Sequence, residues 1–463
     1  MTNWLPEIVR ESGPKYLAIA EAIGSAVADG SLASGTKLPP QRNLAYDLGV
    51  TLGTVTRAYR EAERRGLVGG EVGRGTFVLG SAPQQPDGII VTKALEPGVI
   101  DFTHATPAQG AAGKALAKTL KEIASEPDID ALANYQLHTG LAPHLEAGVH
   151  WLEKNGLKGT VDNVTMTNGV QNGILASLMA LTDPGDTILL EELTYPGALH
   201  LARTFGHRVE SVRMDEHGLI PEALDEVCRR TSARVLYCMP TLQNPTTAVM
   251  PEERRLKVAE IAKRHSLLII EDDIWGMLTD IDLPHFANLL PEQTIYLSSL
   301  SKCMAGGLRI GYAFAPPRLT ERLRAAVRMT CWMPAPLMAE VARRWIYRGV
   351  GETLGRWQCE EITARFAILL DRLKQYDLSY APGSQHVWMR LPAPWRAAQF
   401  RNRAEERGVR VLGAQSFAVH RQNAPEAIRI CIGRPDSVEQ VKKGIDILAA
   451  LLEDDPDHHE AFI

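Results

Sequence analysis

The strongest constraint on how this chain folds is a break in its own pattern. Residues 81–98, SAPQQPDGIIVTKALEPG, replace hydrophobic periodicity with Pro, Gln, Gly and Ser, the composition of a linker. About 80 residues with helical spacing precede it, and more than 350 in which strands and helices alternate follow it. Single cores stop growing near ~250–300 residues, so a chain of 463 is expected to fold as separate units. We place a first domain at 1–80, a linker at 81–99 and a second domain at 100–463, with a smaller lobe from about residue 331.

No segment approaches the ~18 uninterrupted apolar residues of a membrane span, and the N-terminus MTNWLPEIVRESGPKY lacks the basic start and apolar run of a signal peptide. A cytoplasmic site with no membrane partner is expected. The six cysteines form no C-x-x-C pair, so reduced thiols are expected and no metal site. A net charge of −5 argues against a surface coated in positive charge, yet residues 37–75 hold seven Lys and Arg against four acids, a local basic balance.

That basic stretch carries a recognisable order. YLAIAEAIGSAV (16–27) reads as an amphipathic helix; QRNLAYDL, the turn GVT and LGTVTRAYREAERRGLV then read as two helices about a short Gly-containing turn, with Thr51 as N-cap. GEVGRGTFVLG follows as a Gly-rich hairpin with Arg74 at its tip, which makes a winged helix-turn-helix. The second helix is expected to expose Thr54, Thr56, Arg57 and Arg60 to a major groove, with Arg57 reading bases. Arg42 and Arg74 are expected on phosphates, which position the protein without reading sequence. The run LPPQRNLAYDLGVTLGTVTRAYREAERRGLV, with GRGTFV after it, resembles the GntR superfamily of bacterial regulators.

In the larger part, the apolar runs 164–167, 187–190, 208–212, 235–238, 267–271 and 294–297 alternate with helical patterns. This predicts an α/β domain with a mostly parallel sheet covered on both faces, followed by a smaller α+β lobe with strands near 386–391 and 428–432. Ligands of such sheets bind where loops leave the strands' carboxyl ends. YLSSLSKCMAGGLRIGYAFAP (296–316) delivers Ser299, Ser301 and Lys302 to such a loop, with Arg309 beyond. A desolvated lysine sheds its proton near neutral pH and can form an imine with an aldehyde, while hydroxyls and a guanidinium beside it suit a phosphate. MTNGVQNG puts Val170 and Gln171 at a strand-to-helix junction, where free backbone N–H groups favour a phosphate. Tyr195 in EELTYPGA could stack on a pyridine ring, Asn244 in QNPTT could meet a ring oxygen, and Asp272 in LLIIEDDIW could pair with a protonated ring nitrogen. Each motif alone also reads as a turn or a core residue. Together, in order and at strand ends, they describe a pyridoxal phosphate site.

These residues resemble fold-type I aminotransferases over essentially all of residues 100–455. The resemblance implies that Lys302 is the Schiff-base lysine, Asp272 the pyridinium partner, Asn244 the phenolate partner and Tyr195 the stacking aromatic. It also implies phosphate ligation by Ser299 and Arg309, reach of Tyr135 to the phosphate of a neighbouring subunit in a homodimer, and an effector carboxylate clamp at Arg429. There are three departures. Ile274 and Trp275 stand where a tyrosine usually follows the aspartate, and an indole N–H is expected to substitute. Val170 replaces a phosphate-binding serine, and Gly306-Gly307 replace Pro-Gly.

Joined to the GntR-type head, the chain resembles the MocR/GabR subfamily. That resemblance implies a pyridoxal-phosphate-dependent transcription regulator, not an enzyme, with operator DNA and an amino-acid or amine effector as partners. It allows 4-aminobutyrate, taurine or diamino acids as effector. The other readings are a working aminotransferase with an appended head, and a sensor of vitamin B6 itself.

Overall fold

The computed structural model describes residues 4–5, 14–28, 31–32, 36–64, 67–71, 75–78, 98–136 and 140–454. Most of the expected linker, and Arg74, lie outside them. The chain divides into two compact units, Met1–Ile89 and Ile90–Ile463.

The first unit is a small helical domain with a hairpin. Apolar residues at helical spacing, Ile19 and Ile23 on Lys15–Ala28 and Val55, Ala58, Tyr59 and Ala62 on Leu52–Arg64, close one core with Leu44 of Gln41–Asp47. Gly49 makes the turn between the last two helices at φ 61°, a left-handed conformation that a side chain disfavours. The Thr51 hydroxyl accepts from the Thr54 amide at 3.2 Å, an N-cap that satisfies one of the helix's open donors. Strands Val68–Glu71 and Gly75–Val78 pair antiparallel, Val68 opposite Val78 and Glu71 opposite Gly75.

The second unit is built on a seven-stranded sheet. Its spatial order is Val164–Thr167, Gly311–Phe314, Thr294–Ser299, Leu268–Asp273, Ala233–Cys238, Thr187–Glu191, Arg208–Val212. Only Gly311–Phe314 runs against the others. Alternate residues of the central strands enter two separate cores: Ile188, Leu190, Tyr237 and Ile270 face one, and Leu189, Leu236 and Ile269 face the other. Burial on both faces explains why these strands read as unbroken apolar runs.

A smaller lobe carries a four-stranded antiparallel sheet in the order Asp377–Ser379, His386–Arg390, Ala427–Cys431, Leu412–Gly413. Its core of Val387, Met389, Ile428, Ile430, Ile445 and Leu448 also takes in Ile100 and Phe102, because Ile100–Asp101 pairs parallel with Val409–Arg410. Helix Pro336–Tyr347 still packs Ala339, Val341 and Trp345 into the large core. Beyond residue 331, that lobe's core first takes in Ile362, within helix Val350–Leu373. Among the described residues, no helix is long and apolar enough to cross a membrane.

Candidate functional site

Five strands of the large sheet end on one edge, and each hands its loop one or more of the residues singled out in the sequence. Thr294–Ser299 leads to Lys302, whose Nζ donates to the Ala105 carbonyl and stands 5.3 Å from the centre of the Trp275 ring, over its face. Burial lowers its pKa from the ordinary 10.5 to about 8; Arg429 and Arg309 push the same way, and Cys431 and Asp272 oppose them. The amine is thus poised nearer neutrality than a surface lysine.

Asp272 closes strand Leu268–Asp273 at 1% exposure. Its Oδ2 accepts from the Tyr237 hydroxyl at 2.6 Å, while Oδ1 has no partner among the described residues. Burial pushes its pKa up to about 7, with Asp273 adding and Tyr237 and Lys302 subtracting. A buried carboxyl in this state lacks a cationic donor, the role a protonated ring nitrogen fills.

On the strand's other side, the loop after Ala233–Cys238 holds Asn244, buried, with Oδ1 accepting from Arg429 Nη1 at 2.6 Å. Arg429 itself sits on the small lobe's strand Ala427–Cys431, 4% exposed, with its guanidinium 4.6 Å from the Phe417 ring centre and Nη2 donating to the Thr103 carbonyl. The structure therefore brings Lys302, Asp272, Asn244 and Arg429 into one cluster.

The phosphate-sized end lies at helix Val170–Leu181. Gly169 is its N-cap at φ 74°, and a Cβ there would fall 2.5 Å from Arg309 Nη2, so only glycine lets the guanidinium lie against the helix start. The Val170 amide is among the first-turn N–H groups that a helix leaves open. Ser299 Oγ accepts from the Ser301 amide at 3.0 Å, and the buried Ser301 Oγ has no partner among the described residues. Gln171 is exposed, and its Oε1 accepts from the Tyr195 hydroxyl at 2.9 Å. Tyr195 is the N-cap of helix Pro196–Thr204, and burial raises its pKa. A cation, a helix N-terminus and an unpartnered hydroxyl fit a phosphate; the low-pKa amine and the orphaned carboxylate oxygen fit the aldehyde and ring nitrogen of pyridoxal phosphate.

Two more of the residues singled out in the sequence are placed as follows. Trp275 is wholly buried and its Nε1 has no partner among the described residues; its ring face, rather than its N–H, is turned to Lys302. Tyr135 stands apart from the buried cluster at 81% exposure, its ring meeting Trp332 edge-on at 6.2 Å. Sequence reasoning missed Tyr237, which had no signal beyond its place in an apolar strand, and the Thr103 and Ala105 carbonyls, which carry none. It also missed Gln385, whose amide donates to the Lys302 carbonyl at 3.2 Å, and His386, which burial keeps neutral 5.8 Å from the Trp275 ring.

In the first unit, Arg57 and Arg60 are exposed on the second helix of the helix-turn-helix and line an open groove of about 830 Å³ with Lys15 and Thr54. The Arg57 guanidinium lies 5.6 Å from the Tyr16 ring centre. Arg42 is exposed on the preceding helix. Thr54 and Thr56 were both expected to be exposed, but both are half-buried; the Thr56 hydroxyl donates to Gln41 Oε1 at 2.7 Å and ties the two helices together.

Residues 98–445 match the family of class I and II aminotransferases, and residues 15–78 match the gntR family of bacterial regulatory proteins. The chain is 31% identical to an uncharacterized HTH-type transcriptional regulator, YdeF, of Bacillus subtilis (strain 168), over 98% of this chain and 97% of that one. It is 29% identical to the 2-aminoadipate transaminase of Thermus thermophilus, over 70% of this chain and 83% of the relative. Among solved structures, LysN, the alpha-aminoadipate aminotransferase of Thermus thermophilus complexed with N-(5'-phosphopyridoxyl)-L-leucine, superposes with a TM-score of 0.69 at 26% identity, over 77% of this chain and 92% of that one. The chain belongs to the class I and II aminotransferase family and, through its gntR-family head, has the architecture of the MocR/GabR group of GntR-type transcription regulators.

Proposed function

We propose that this protein is a cytoplasmic, homodimeric transcription regulator that binds operator DNA through domain 1–80 and senses an amine or amino-acid effector in domain 100–463, the two joined by the linker 81–99. The observation that carries this reading is one cluster holding a depressed-pKa lysine, a buried aspartate with one oxygen unpartnered among the described residues and a buried arginine, in a chain that also carries a GntR-type head. The cofactor is pyridoxal phosphate, which supplies an aldehyde that bonds covalently to primary amines and a ring that withdraws electrons from them.

Lys302 would hold the cofactor covalently, in competition with an effector amine. Asp272, kept in place by Tyr237, would accept the ring N–H; Asn244 would meet the ring oxygen, and Tyr195 would cover the ring face. Ser299, Arg309, Gln171 and the Val170 amide would hold the phosphate, with Tyr135 completing the site of the neighbouring subunit. Arg429 takes the effector's anionic end, a planar bidentate task. In the head, Arg57 reads bases, Thr54 and Thr56 border the same groove face, and Arg42 and Arg74 hold phosphates.

A change of operator affinity on adding an effector amine, present in the wild type and absent in Lys302→Ala, tests this reading. An equal response in both would remove Lys302 from the sensing step. A working aminotransferase is the second reading, favoured by the intact grouping of Lys302, Asp272, Asn244 and Arg429. No catalytic role is assigned to them here, because Trp275 stands without a phenolic hydroxyl three residues after Asp272.

A further inference from the structure

The free Lys302 side chain rests in a defined place. Its Nζ donates to the Ala105 main-chain carbonyl and lies over the Trp275 indole, 5.3 Å from the ring centre. A carbonyl oxygen accepts from a protonated amine more strongly than from a neutral one, and the negative face of an indole attracts an ammonium and not an amine. Both neighbours therefore favour the charged form. Trp275 is itself fully buried, its ring centre 5.8 Å from that of His386.

We propose that Trp275 is a positioning residue that holds Lys302, once an effector amine has released it from the cofactor, as an ammonium ion between its ring face and the Ala105 carbonyl, so that proton removal from the bound effector is slowed. The inference rests on the reading that Lys302 anchors the cofactor. For transamination to proceed, the released lysine must take a proton from the effector's carbon, which requires a lone pair on Nζ. An ammonium has none. An effector that enters as an ammonium supplies the proton that charges Nζ; while it stays on Nζ no bond to carbon breaks, and the effector remains bound.

The charged groups around Nζ leave room for such a control. Asp272 favours the ammonium, Arg429 and Arg309 disfavour it, the Cys431 thiol lies close by, and His386 is held neutral by burial. Burial and opposing charges bring Lys302 to about 8, so at pH 7 the ammonium predominates by only about tenfold. A contact that shifts the protonation equilibrium by ~2- to 30-fold, the span of a cation–π pair, therefore decides how often the lone pair is available.

The test uses the full-length protein loaded with cofactor. Aminooxyacetate caps the cofactor's aldehyde and frees the lysine, after which the pH midpoint of Lys302 acetylation by acetic anhydride is read by peptide mass spectrometry. The same midpoint is measured in cofactor-free protein. The wild type should have the highest midpoint, Trp275→Phe a lower one, and Trp275→Leu the lowest, by ~2- to 30-fold in the protonation equilibrium. The conservative Phe variant keeps the comparison open if the Leu variant does not fold. Midpoints that are unchanged or higher in the variants would overturn the role of Trp275. If aminooxyacetate does not increase Lys302 labelling at all, the anchoring role of Lys302 fails instead, so the two failures are distinct.

Discussion

Arg429, on the small lobe, donates from Nη1 to Oδ1 of Asn244, on a loop of the large sheet, across 2.6 Å. One hydrogen bond thus joins the group assigned to the effector with the group assigned to the cofactor ring, and a carboxylate arriving at Arg429 acts on both. Arg429→Ala should leave the cofactor's visible absorption in place and weaken binding of carboxylate-bearing amines by ~10- to 150-fold, the ~1.5–3 kcal/mol of a charge-assisted hydrogen bond. Simple amines should lose far less. Spectral titration with paired amines that differ only in the carboxylate measures both; equal losses would show that Arg429 does not bind the anionic end.

The amine of Lys302 sets the pH dependence of cofactor capture. With its pKa at about 8 rather than 10.5, roughly a tenth of it is neutral at pH 7, against about one part in three thousand for an ordinary lysine. Capture of pyridoxal phosphate by cofactor-free protein should accelerate about tenfold per pH unit below 8 and level off above it. The sign for stability follows from linkage: between pH 8 and 10.5 the folded state binds fewer protons than the unfolded one, so this group's contribution rises with pH across that window. Lys302→Ala should abolish the visible band of the bound cofactor while the far-ultraviolet circular dichroism stays unchanged. A plateau reached only near pH 10.5, or a band retained in the variant, would contradict the assignment.

Much of this pocket was legible in the sequence, for a physical reason. Strands buried on both faces read as apolar runs, so Lys302, Asp272, Asn244 and Tyr195 stand out as the polar residues just where such runs stop. Strand Gly311–Phe314 was not legible: it is four residues long and enters the sheet against the general direction without a turn signal of its own. The Thr103 and Ala105 carbonyls could not be read either, because any residue offers the same acceptor. For Thr56, helical spacing gives a face but does not reveal that Gln41, fifteen residues earlier, takes its hydroxyl. That the Trp275 ring face lies under Lys302 could not be read either, because which part of a flat ring meets a neighbour is decided only by packing.

For the head, Arg57→Ala should cost ~1–3 kcal/mol of operator binding and relax base preference, as loss of a base contact does. Arg74→Ala should weaken binding to all sequences alike and flatten the salt dependence. Electrophoretic mobility shifts on the operator and on scrambled DNA at several salt concentrations separate the two. Retention of operator binding by a chain lacking residues 1–80 would contradict the assignment of the head.

Tyr135, 81% exposed in the single chain, is expected to meet the phosphate of a second subunit, so the site is completed only in a dimer. Tyr135→Phe should raise the dissociation constant for pyridoxal phosphate, by ~2- to 10-fold for one hydrogen bond. Sedimentation should show a dimer at micromolar concentration, and the operator should carry paired half-sites. A monomer with full cofactor occupancy would contradict this arrangement.

The central claim is that the pocket senses an amine and reports it to DNA rather than turning it over. Its most direct test follows operator affinity and glutamate production together, with cofactor-loaded protein, a candidate effector amine and 2-oxoglutarate in one mixture. The account predicts a ~5- to 150-fold change in operator affinity, the scale of a ~1–3 kcal/mol coupling, with no more than a single turnover per site. Rapid multiple turnovers with unchanged operator affinity would contradict it and make the protein an aminotransferase.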